Sequence, residues 1–482
     1  MIKDAANYRT STLETGEPAA FAASDVVFRD YDIRGFANSQ IDSGFALRLG
    51  SALAGIWRAD GHSAAYVGRD CRISSPALAS ALERGLLDGG LNVIDLGQIT
   101  TPVLNFAVHQ GDQSDCGIMV TASHNPREYN GFKIVVRDRV IAGDMLQQLK
   151  SLMAAEITFI GQPGNRSSAQ IIPQYLQQIV ADCELNRSFK IVVDGGNGAA
   201  GITATKLLQQ LGCEVIPLYC EPDGAFPNHD PNPSDPANLQ PLIAAVKSSR
   251  ADLGFALDGD GDRLVVISAE GEIIWPDQLM MIFAEDILRR RPGANIVFDI
   301  KSSFCLQRLV DQQGGIPVLC KTGHAHVRRA VQESDAVLGG EFSGHIFFND
   351  RWHGFDDGLY AATRLLEILC SESAEGRGIA QLVSRNQNTV CTPEILIPVD
   401  ELEKFKLMEN LSLNCQFEGA EINRLDGLRV EYPAGWGLVR ASNTSAYLTL
   451  RFEADSDREL LRIKQLFSRQ LSPFIENLEQ YL

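Results

Sequence analysis

No two of the ten cysteines form a CxxC pair, so neither a zinc ribbon nor a dithiol redox motif is encoded. Cys71, Cys116, Cys183, Cys213, Cys220, Cys305, Cys320, Cys370, Cys391 and Cys415 are scattered along a long chain. They read as free thiols of a reducing cytoplasm. No stretch reaches the roughly 18 consecutive apolar residues of a membrane helix. The first residues lack the apolar core of a secretory signal. A cytoplasmic protein without a membrane role is therefore expected. Basic residues are scarce: 43 Lys and Arg stand against 61 Asp and Glu, a net charge of -18. Such a chain is repelled by phosphate backbones and anionic lipid, so nucleic acid and membranes are not expected partners. A small anionic ligand stays compatible with it, because local basic side chains can outweigh the global field. No Gly-Lys dipeptide occurs, which excludes a P-loop.

What is present is ordinary globular material. The chain has 482 residues, 45% of them hydrophobic and 22% charged, enough for several cores and three or four domains. From about residue 64 to 370, short β-branched runs alternate with amphipathic ones. AAYVG, NVIDLG, CGIMVTA and FKIVV read as strands, with PALASALERGLLDGG a helix that begins at Pro76. The pattern recurs with KIVVDGG, CEVIPLY and ADLGFALD, and again with ANIVFDI, IPVLCKTG and AVLGGEF. Alternating strands and helices imply β-α-β units and largely parallel sheets. Three rounds imply three related α/β domains, residues 1–168, 169–272 and 273–386. After residue 386 the strand signals crowd together and DRELLRIKQLFSRQLSPFIENL reads as a closing helix. Residues 387–482 therefore read as a fourth, α+β domain. The first twenty residues lack an apolar period and read as a mobile arm.

Five loops carry chemistry. Asp258-Gly-Asp260-Gly-Asp262-Arg263 follows the strand ADLGFAL. In an extended segment, alternate residues share a side, so three carboxylates are expected to converge. Two carboxylates about 7 Å apart repel by roughly 2 kcal/mol at an effective dielectric near 20. A hard cation with oxygen ligands removes that repulsion. A single Asp-Gly would be a solvated turn; three in alternation point to a metal. An EF-hand is excluded, since its sixth and twelfth positions would be Arg263 and Ala269 rather than Gly and Glu.

Thr121-Ala-Ser123-His124-Asn125-Pro126 follows the strand CGIMV, the end at which α/β proteins place their sites. The absence of a G-x-S-x-G elbow argues against a serine hydrolase. Glu341-Phe-Ser343-Gly-His345 spaces three polar side chains by two, which suits a ring of hydroxyls. Arg440-Ala-Ser442-Asn443-Thr444 joins one guanidinium to a run of small donors, a pattern for a phosphate clamp. Gly196-Asn-Gly198-Ala-Ala-Gly201 matches G-x-G-x-x-G after a strand, with Glu221 about twenty residues on. A dinucleotide site is the rival that this loop raises; the alternative is a tight strand-to-helix turn.

Taken together these loops closely resemble the α-D-phosphohexomutase family, in its phosphomannomutase/phosphoglucomutase branch. The likeness spans most of the chain, in order: Tyr31-Asp-Ile-Arg34-Gly35, Val67-Gly-Arg69-Asp70, Thr100-Thr-Pro102, TASHNP, Tyr129-Asn-Gly-Phe-Lys133, DGDGDR, Lys321-Thr-Gly-His324, GEFSGH, Asp356-Asp357-Gly358 and RASNT. The resemblance implies three α/β domains with mixed sheets and a C-terminal α+β domain around a central cleft. It implies an isomerase that interconverts hexose 1- and 6-phosphates through a phosphoserine at Ser123 and a 1,6-bisphosphate intermediate. Asp258, Asp260, Asp262 and Ser123 would hold Mg2+. Arg34 and Lys133 would move protons, with His124 beside the serine and Arg263 beside the phosphoryl group. Tyr31, Lys321, His324, Arg328, Glu341, Ser343 and His345 would bind the sugar. Arg440, Ser442, Asn443 and Thr444 would clamp the phosphate that does not react.

Two departures from the family pattern stand out: Arg328 where Lys is frequent, and Ala446 where Pro commonly follows the clamp. Neither removes a catalytic group. The nearest rival within the family is a phosphoglucosamine mutase, against which Phe342 argues, since that subfamily tends to carry Gln there. Outside it stand a non-catalytic sugar-phosphate-binding protein and a dinucleotide-dependent oxidoreductase. The expected partner is a small phosphosugar, and the expected assembly a monomer or dimer.

Overall fold

The computed structural model describes residues 8–10, 27–137, 139–155, 157–373, 378–443 and 446–482. The chain divides into two units, residues 1–274 with 343–374, and residues 275–342 with 375–482. Most of the expected N-terminal arm lies outside the described residues. Within it, Tyr8–Thr10 pairs antiparallel with Ile157–Phe159, a strand that its lack of an apolar period did not signal.

In the first unit a six-stranded sheet runs in the order Ile33–Phe36, Tyr129–Val136, Cys116–Val120, Ala64–Arg69, Asn92–Gln98, Arg166–Ser168. The pairs from Cys116–Val120 to Arg166–Ser168 are parallel; both pairs made by Tyr129–Val136 are antiparallel. Helices Ser75–Asp88 and Thr101–Gln110 supply the long crossovers that parallel strands need. Only residues 121–128 join Cys116–Val120 to Tyr129–Val136, too few for a crossover, so this pair must run antiparallel. Helices Ser43–Ala59 and Ser75–Asp88 cover one face, burying Leu49, Trp57, Leu82 and Leu86 with Val67, Ile118 and Phe132. Leu82→Ala in such a core costs about 2–5 kcal/mol.

A second sheet repeats the plan in the order Glu214–Leu218, Lys190–Asp194, Leu253–Leu257, Leu264–Ser268, Ile273–Ile274. Its first three strands are parallel and its last two antiparallel. Residues 258–263 turn the chain from Leu253–Leu257 into Leu264–Ser268. The serine loop and the Asp-Gly loop are thus one device used twice. Each leaves the C-terminal end of a buried parallel strand and returns as its antiparallel neighbour.

In the second unit Ile316–Cys320, Asn295–Asp299 and Leu338–Gly340 form a parallel array. The C-terminal sheet is antiparallel throughout, in the order Val390–Cys391, Tyr447–Ala454, Gly435–Ala441, Leu428–Tyr432, Glu421–Asn423, with Ile395–Pro398 also on Tyr447–Ala454. Helix Asp457–Leu471 covers one face through Ile463, Phe467 and Leu471. Ser456 caps that helix by accepting from Glu459 N. The sheet also carries buried charges. Arg451 Nη2 meets Asp277 Oδ2 at 2.9 Å, and Arg429 Nη1 donates to Ile300 O at 2.5 Å and Ser302 O at 3.0 Å. Glu453 accepts from Ser303 Oγ at 2.6 Å, Thr389 Oγ1 at 2.7 Å and Trp436 Nε1 at 2.8 Å. The bonds of Arg429 and of Ser303 join this sheet to the loop after Asn295–Asp299, and that of Arg451 joins it to helix Pro276–Arg290. The architecture is the expected one, and in the first two sheets an antiparallel return strand makes an otherwise parallel sheet mixed.

Candidate active site

The first unit brings the serine loop and the Asp-Gly loop together. Ser123 is fully buried and has a φ of +51°, a left-handed conformation in which a non-glycine residue must be held by its surroundings. Its Oγ donates to Asp258 Oδ2 at 2.7 Å, and His124 Nδ1 lies 3.3 Å from it. Gly259 makes the approach of the two loops possible: a Cβ there would sit 2.4 Å from Ser123 O. The Asp-Gly segment is a tight turn with Gly261 at a φ of +78°. The three carboxylates converge because the glycines bend the chain around them, not because an extended strand aligns them.

Asp258, Asp260 and Asp262 are each wholly buried, and one ligand atom from each lies within 4.8 Å of the others. Asp258 Oδ1 accepts from Gly261 N at 3.0 Å and Arg263 N at 3.2 Å. Asp260 Oδ2 accepts from Thr101 Oγ1 at 2.5 Å and Lys133 Nζ at 2.7 Å, and Lys133 also donates to Asp262 Oδ2. Asp260 Oδ1 and Asp262 Oδ1 are buried with no hydrogen bond among the described residues. Buried carboxylate oxygens of this kind are costly unless a cation meets them. The donor set is all hard oxygen, which fits a hard divalent ion.

The electrostatics follow from this packing. Burial, then Asp262 and Asp260, pushes the Asp258 carboxyl well above its ordinary range. Burial works the same way on Asp260, but Lys133 and the Thr101 hydroxyl outweigh it and hold that carboxyl below its ordinary range. Burial and Asp260 raise Asp262. Burial opposes the Lys133 charge, but Asp260 and Asp262 prevail and keep the ammonium protonated above its usual value. Desolvation, then Arg263, Arg34, His345 and Lys133, depresses His124 well below the usual imidazole value.

Around this centre, Arg34 donates to Asn125 Oδ1 at 2.7 Å and to Asp32 Oδ2 at 2.6 Å. Arg34 and Lys133 share one face of the Ile33–Phe36 and Tyr129–Val136 pair, where Arg34 sits opposite Gly131. Arg263 Nε donates to His345 Nε2 at 2.9 Å and lies 3.7 Å from Asp258 Oδ2. That bond requires the ring proton of His345 on Nδ1, which faces Asp356 Oδ2 at 2.8 Å. Burial pushes the His345 imidazole down to about 3, so the ring is neutral. Tyr31 precedes this group in a bend, and Ser343 stands two residues before His345.

The second unit's Leu338–Gly340 is followed by a turn rather than a strand, and Gly344, already in the first unit, has a φ of +102°. Glu341, Ser343 and His345 therefore do not alternate on a pleat. Glu341 is buried, and Phe342 N donates to Asp299 Oδ1 at 3.1 Å. Lys321 is exposed at the end of Ile316–Cys320. Helix His324–Glu333 starts at His324 and buries Arg328. Arg440 is buried at the end of Gly435–Ala441, its Nε donating to Asp426 Oδ2 at 3.0 Å. Asp426 Oδ2 also accepts from Thr322 N at 3.0 Å. One carboxylate thus ties the expected clamp to the Lys321–His324 loop. Ser442 N donates to Tyr447 O at 2.9 Å, and Asn443 follows it. Thr444 lies outside the described residues.

Comparison with known proteins matches all four parts in the same order. Family models described as phosphoglucomutase/phosphomannomutase alpha/beta/alpha domains I, II and III match residues 25–158, 173–271 and 275–388, and that family's C-terminal domain matches 394–470. The chain belongs to the phosphoglucomutase/phosphomannomutase family. It is 46% identical over 452 residues to a phosphomannomutase/phosphoglucomutase of Pseudomonas putida, covering 93% of this chain and 96% of that protein. It is 42% identical over 444 residues to a phosphoglucomutase of Neisseria meningitidis serogroup A, covering 92% and 95%. A crystal structure of a phosphoglucomutase/phosphomannomutase family protein from Burkholderia thailandensis superposes with a TM-score of 0.86 at 45% identity, covering 93% and 97%.

In this phosphohexomutase the G-x-G-x-x-G loop serves the Asp-Gly loop. A Cβ on Gly198 would lie 2.8 Å from Gly259 Cα, and one on Gly201 would lie 2.4 Å from Cys220 O. Ala199 N donates to Gly259 O at 2.9 Å. The close backbone approach that glycine permits here is taken by protein, not left for a pyrophosphate. Three supports escaped the sequence reading. Thr101 was seen only as part of a motif, yet its hydroxyl holds Asp260. Asp426 sits in an ordinary Asp-Gly turn. Arg72, two residues beyond Asp70, binds the serine loop and had no recognisable spacing to mark it.

Proposed function

We propose that this enzyme interconverts mannose 1- and 6-phosphate and glucose 1- and 6-phosphate, with Ser123 as the phosphoryl carrier and a hexose 1,6-bisphosphate as the intermediate. The reading rests above all on the 2.7 Å bond from Ser123 Oγ to Asp258 Oδ2, which sets a hydroxyl at the edge of three buried carboxylates. Asp258, Asp260 and Asp262, with Ser123, would hold Mg2+, which when bound supplies charge neutralisation for the transferring phosphoryl group.

The chain's own residues divide the remaining work. Ser123 Oγ is buried and pre-aimed, so little reorganisation precedes attack. Lys133 holds a proton at Nζ beside two of the carboxylates, and Arg34 presents a guanidinium on the same face; both would exchange protons with sugar hydroxyls. His124, kept neutral, accepts or donates one hydrogen bond at the serine. Arg263 would neutralise the phosphoryl oxygens. Tyr31, Lys321, His324, Arg328, Glu341, Ser343 and His345 would bind the sugar. Arg440, Ser442, Asn443 and Thr444 would clamp whichever phosphate is not reacting. The working parts would be residues 1–168, 169–272, 273–386 and 387–482, one loop from each. The net charge of -18 and the lack, among the described residues, of any helix long and apolar enough to cross a membrane support a cytoplasmic enzyme. It would act as a monomer or dimer on a small phosphosugar, without nucleic acid or membrane partners.

The test is turnover of mannose 1-phosphate, glucose 1-phosphate and glucosamine 1-phosphate with Mg2+ and a trace of hexose 1,6-bisphosphate. Conversion of the first two, abolished in Ser123→Ala, is expected. Conversion of glucosamine 1-phosphate alone would transfer the assignment to the amino sugar. No conversion by folded, phosphorylated protein would leave a binding protein.

A further inference from the structure

We infer that Arg72 is the positioning residue that fixes the serine loop through both halves of the catalytic cycle. The inference rests on Ser123 being the phosphoryl carrier. Arg72 Nη2 donates to Ser123 O at 2.8 Å and Asn125 O at 2.6 Å, and Nη1 to Pro126 O at 2.7 Å and Tyr129 O at 3.1 Å. Three carbonyls of the loop and that of Tyr129, the first residue of the return strand, are thus gathered on a single guanidinium. The fork itself is fixed: Arg72 Nε meets Asp70 Oδ2 at 3.1 Å, and its side chain has no solvent exposure. The ring of Phe226 lies 5.1 Å from its Cζ.

Asp70 holds the other end of the same residue. Ser123 N donates to Thr121 Oγ1 at 2.9 Å, and that hydroxyl donates to Asp70 Oδ2 at 2.8 Å. Ser75 Oγ donates to Asp70 Oδ1 at 2.5 Å. Asp70 and Arg72 therefore grip the amide and the carbonyl of Ser123, a residue whose φ of +51° needs external support.

The cycle shows why this grip is needed. As a free hydroxyl, Ser123 is tied to Asp258 by its own proton. As a phosphoserine, Oγ has no proton to donate, so that tie is lost in one of the two states. Every bond from Arg72 to Ser123, Asn125, Pro126 and Tyr129 goes to backbone and is indifferent to the state of Oγ. Lysine cannot replace it, because a compact ammonium with three donors cannot fork across four carbonyls.

The test is kinetic. Arg72→Lys keeps charge and bulk, and Arg72→Ala opens a space for added guanidinium. In Arg72→Lys, kcat for glucose 1-phosphate should fall about a hundredfold, the cost of a misplacement near 1 Å. KM should stay within about threefold, since substrate contacts are untouched; the unfolding midpoint should fall, because bonds of a buried guanidinium are lost, so rates are measured well below it. Transfer of labelled phosphate from hexose 1,6-bisphosphate to Ser123 should slow in parallel. Millimolar guanidinium should restore Arg72→Ala about tenfold, while ammonium should not. Should Arg72→Ala not fold, Arg72→Lys decides alone. A Lys variant with kcat within about threefold of the wild type, or a loss carried by KM alone, overturns the inference. A wild type that turns over no hexose phosphate would instead overturn the reading of Ser123, and the inference with it.

Discussion

Lys133 Nζ reaches Asp260 Oδ2 at 2.7 Å and also bonds Asp262 Oδ2, so one buried ammonium supplies the countercharge of two of the three clustered carboxylates. The other oxygens of these two carboxylates, Asp260 Oδ1 and Asp262 Oδ1, are buried with no hydrogen bond among the described residues. The proposed site would thus use two positive charges: the ammonium of Lys133, covalently fixed, and an exchangeable cation on the oxygens that Lys133 leaves free. A cation bound there need not discharge three carboxylates by itself. A site left weakly charged holds the phosphoryl group without trapping it.

Removing the fixed charge should therefore make folding depend on the exchangeable one. In Lys133→Met three carboxylates face one another, each pair repelling by about 2–4 kcal/mol at an effective dielectric near 20. With chelator present, the variant should unfold several degrees below the wild type. Saturating Mg2+ should raise its midpoint more than that of the wild type, because a ligand that binds only the folded state stabilises it by mass action. Thermal scans of both proteins, with chelator and with Mg2+, give the comparison. Equal Mg2+ shifts would mean that Lys133 carries no part of the triad's countercharge.

Ser123→Ala removes the proposed carrier but little volume. Turnover should drop by about a thousandfold or more, while glucose 1-phosphate should bind within about threefold of its wild-type affinity, since the hydroxyl acts in transfer rather than in holding the ground state. Kinetics paired with calorimetric titration separate the two. A variant with lost affinity and intact kcat would assign Ser123 to binding.

The sequence disclosed those parts of the site whose residue type is itself the chemistry. Three aspartates alternating with glycine are rare enough to name a cation, and a serine after a parallel strand stands where such folds react. The strand and helix order was legible because short β-branched apolar runs mark strands buried on both faces and amphipathic runs mark helices with one buried face. Arg72 was not legible, because its partners are backbone carbonyls and every residue has one. Asp426 was not, because joining Thr322 to Arg440 is a matter of tertiary approach across a hundred residues of chain. The G-x-G-x-x-G match misled for a physical reason as well. Glycine marks close approach, but sequence does not say whether a ligand or another loop does the approaching.

Asp357 offers a pH test outside the cluster of Asp258, Asp260 and Asp262. It accepts from Leu359 N at 3.1 Å, Tyr360 N at 2.9 Å and Tyr175 Oη at 2.9 Å. Burial nonetheless outweighs these bonds and pushes the carboxyl up to about 7. A carboxyl raised in the folded state binds its proton there while the unfolded chain has released its own. Stability must then fall as pH rises from the unfolded value near 4 toward 7, and level off above it. Asp357→Asn lacks this group, so its stability relative to the wild type should rise across that window. Denaturant melts at pH 5 and pH 8 measure the difference; a relative stability that is flat or declines with pH would refute the assignment.

Arg440 tests the economy of a single clamp. Its guanidinium is buried and held by Asp426 at 3.0 Å, so its direction is set before any phosphate arrives. If the clamp takes whichever phosphate is not reacting, it meets the 6-phosphate of one substrate and the 1-phosphate of the other with the same atoms. Arg440→Ala should then raise KM about ten- to hundredfold, the worth of a charge-assisted bond. The factor should be the same, within about threefold, for the forward and the reverse reaction. Initial rates measured from glucose 1-phosphate and from glucose 6-phosphate provide both numbers. An effect confined to one direction would show that the two phosphates are held by different residues, and one serine would then need two binding modes rather than one substrate turned end for end.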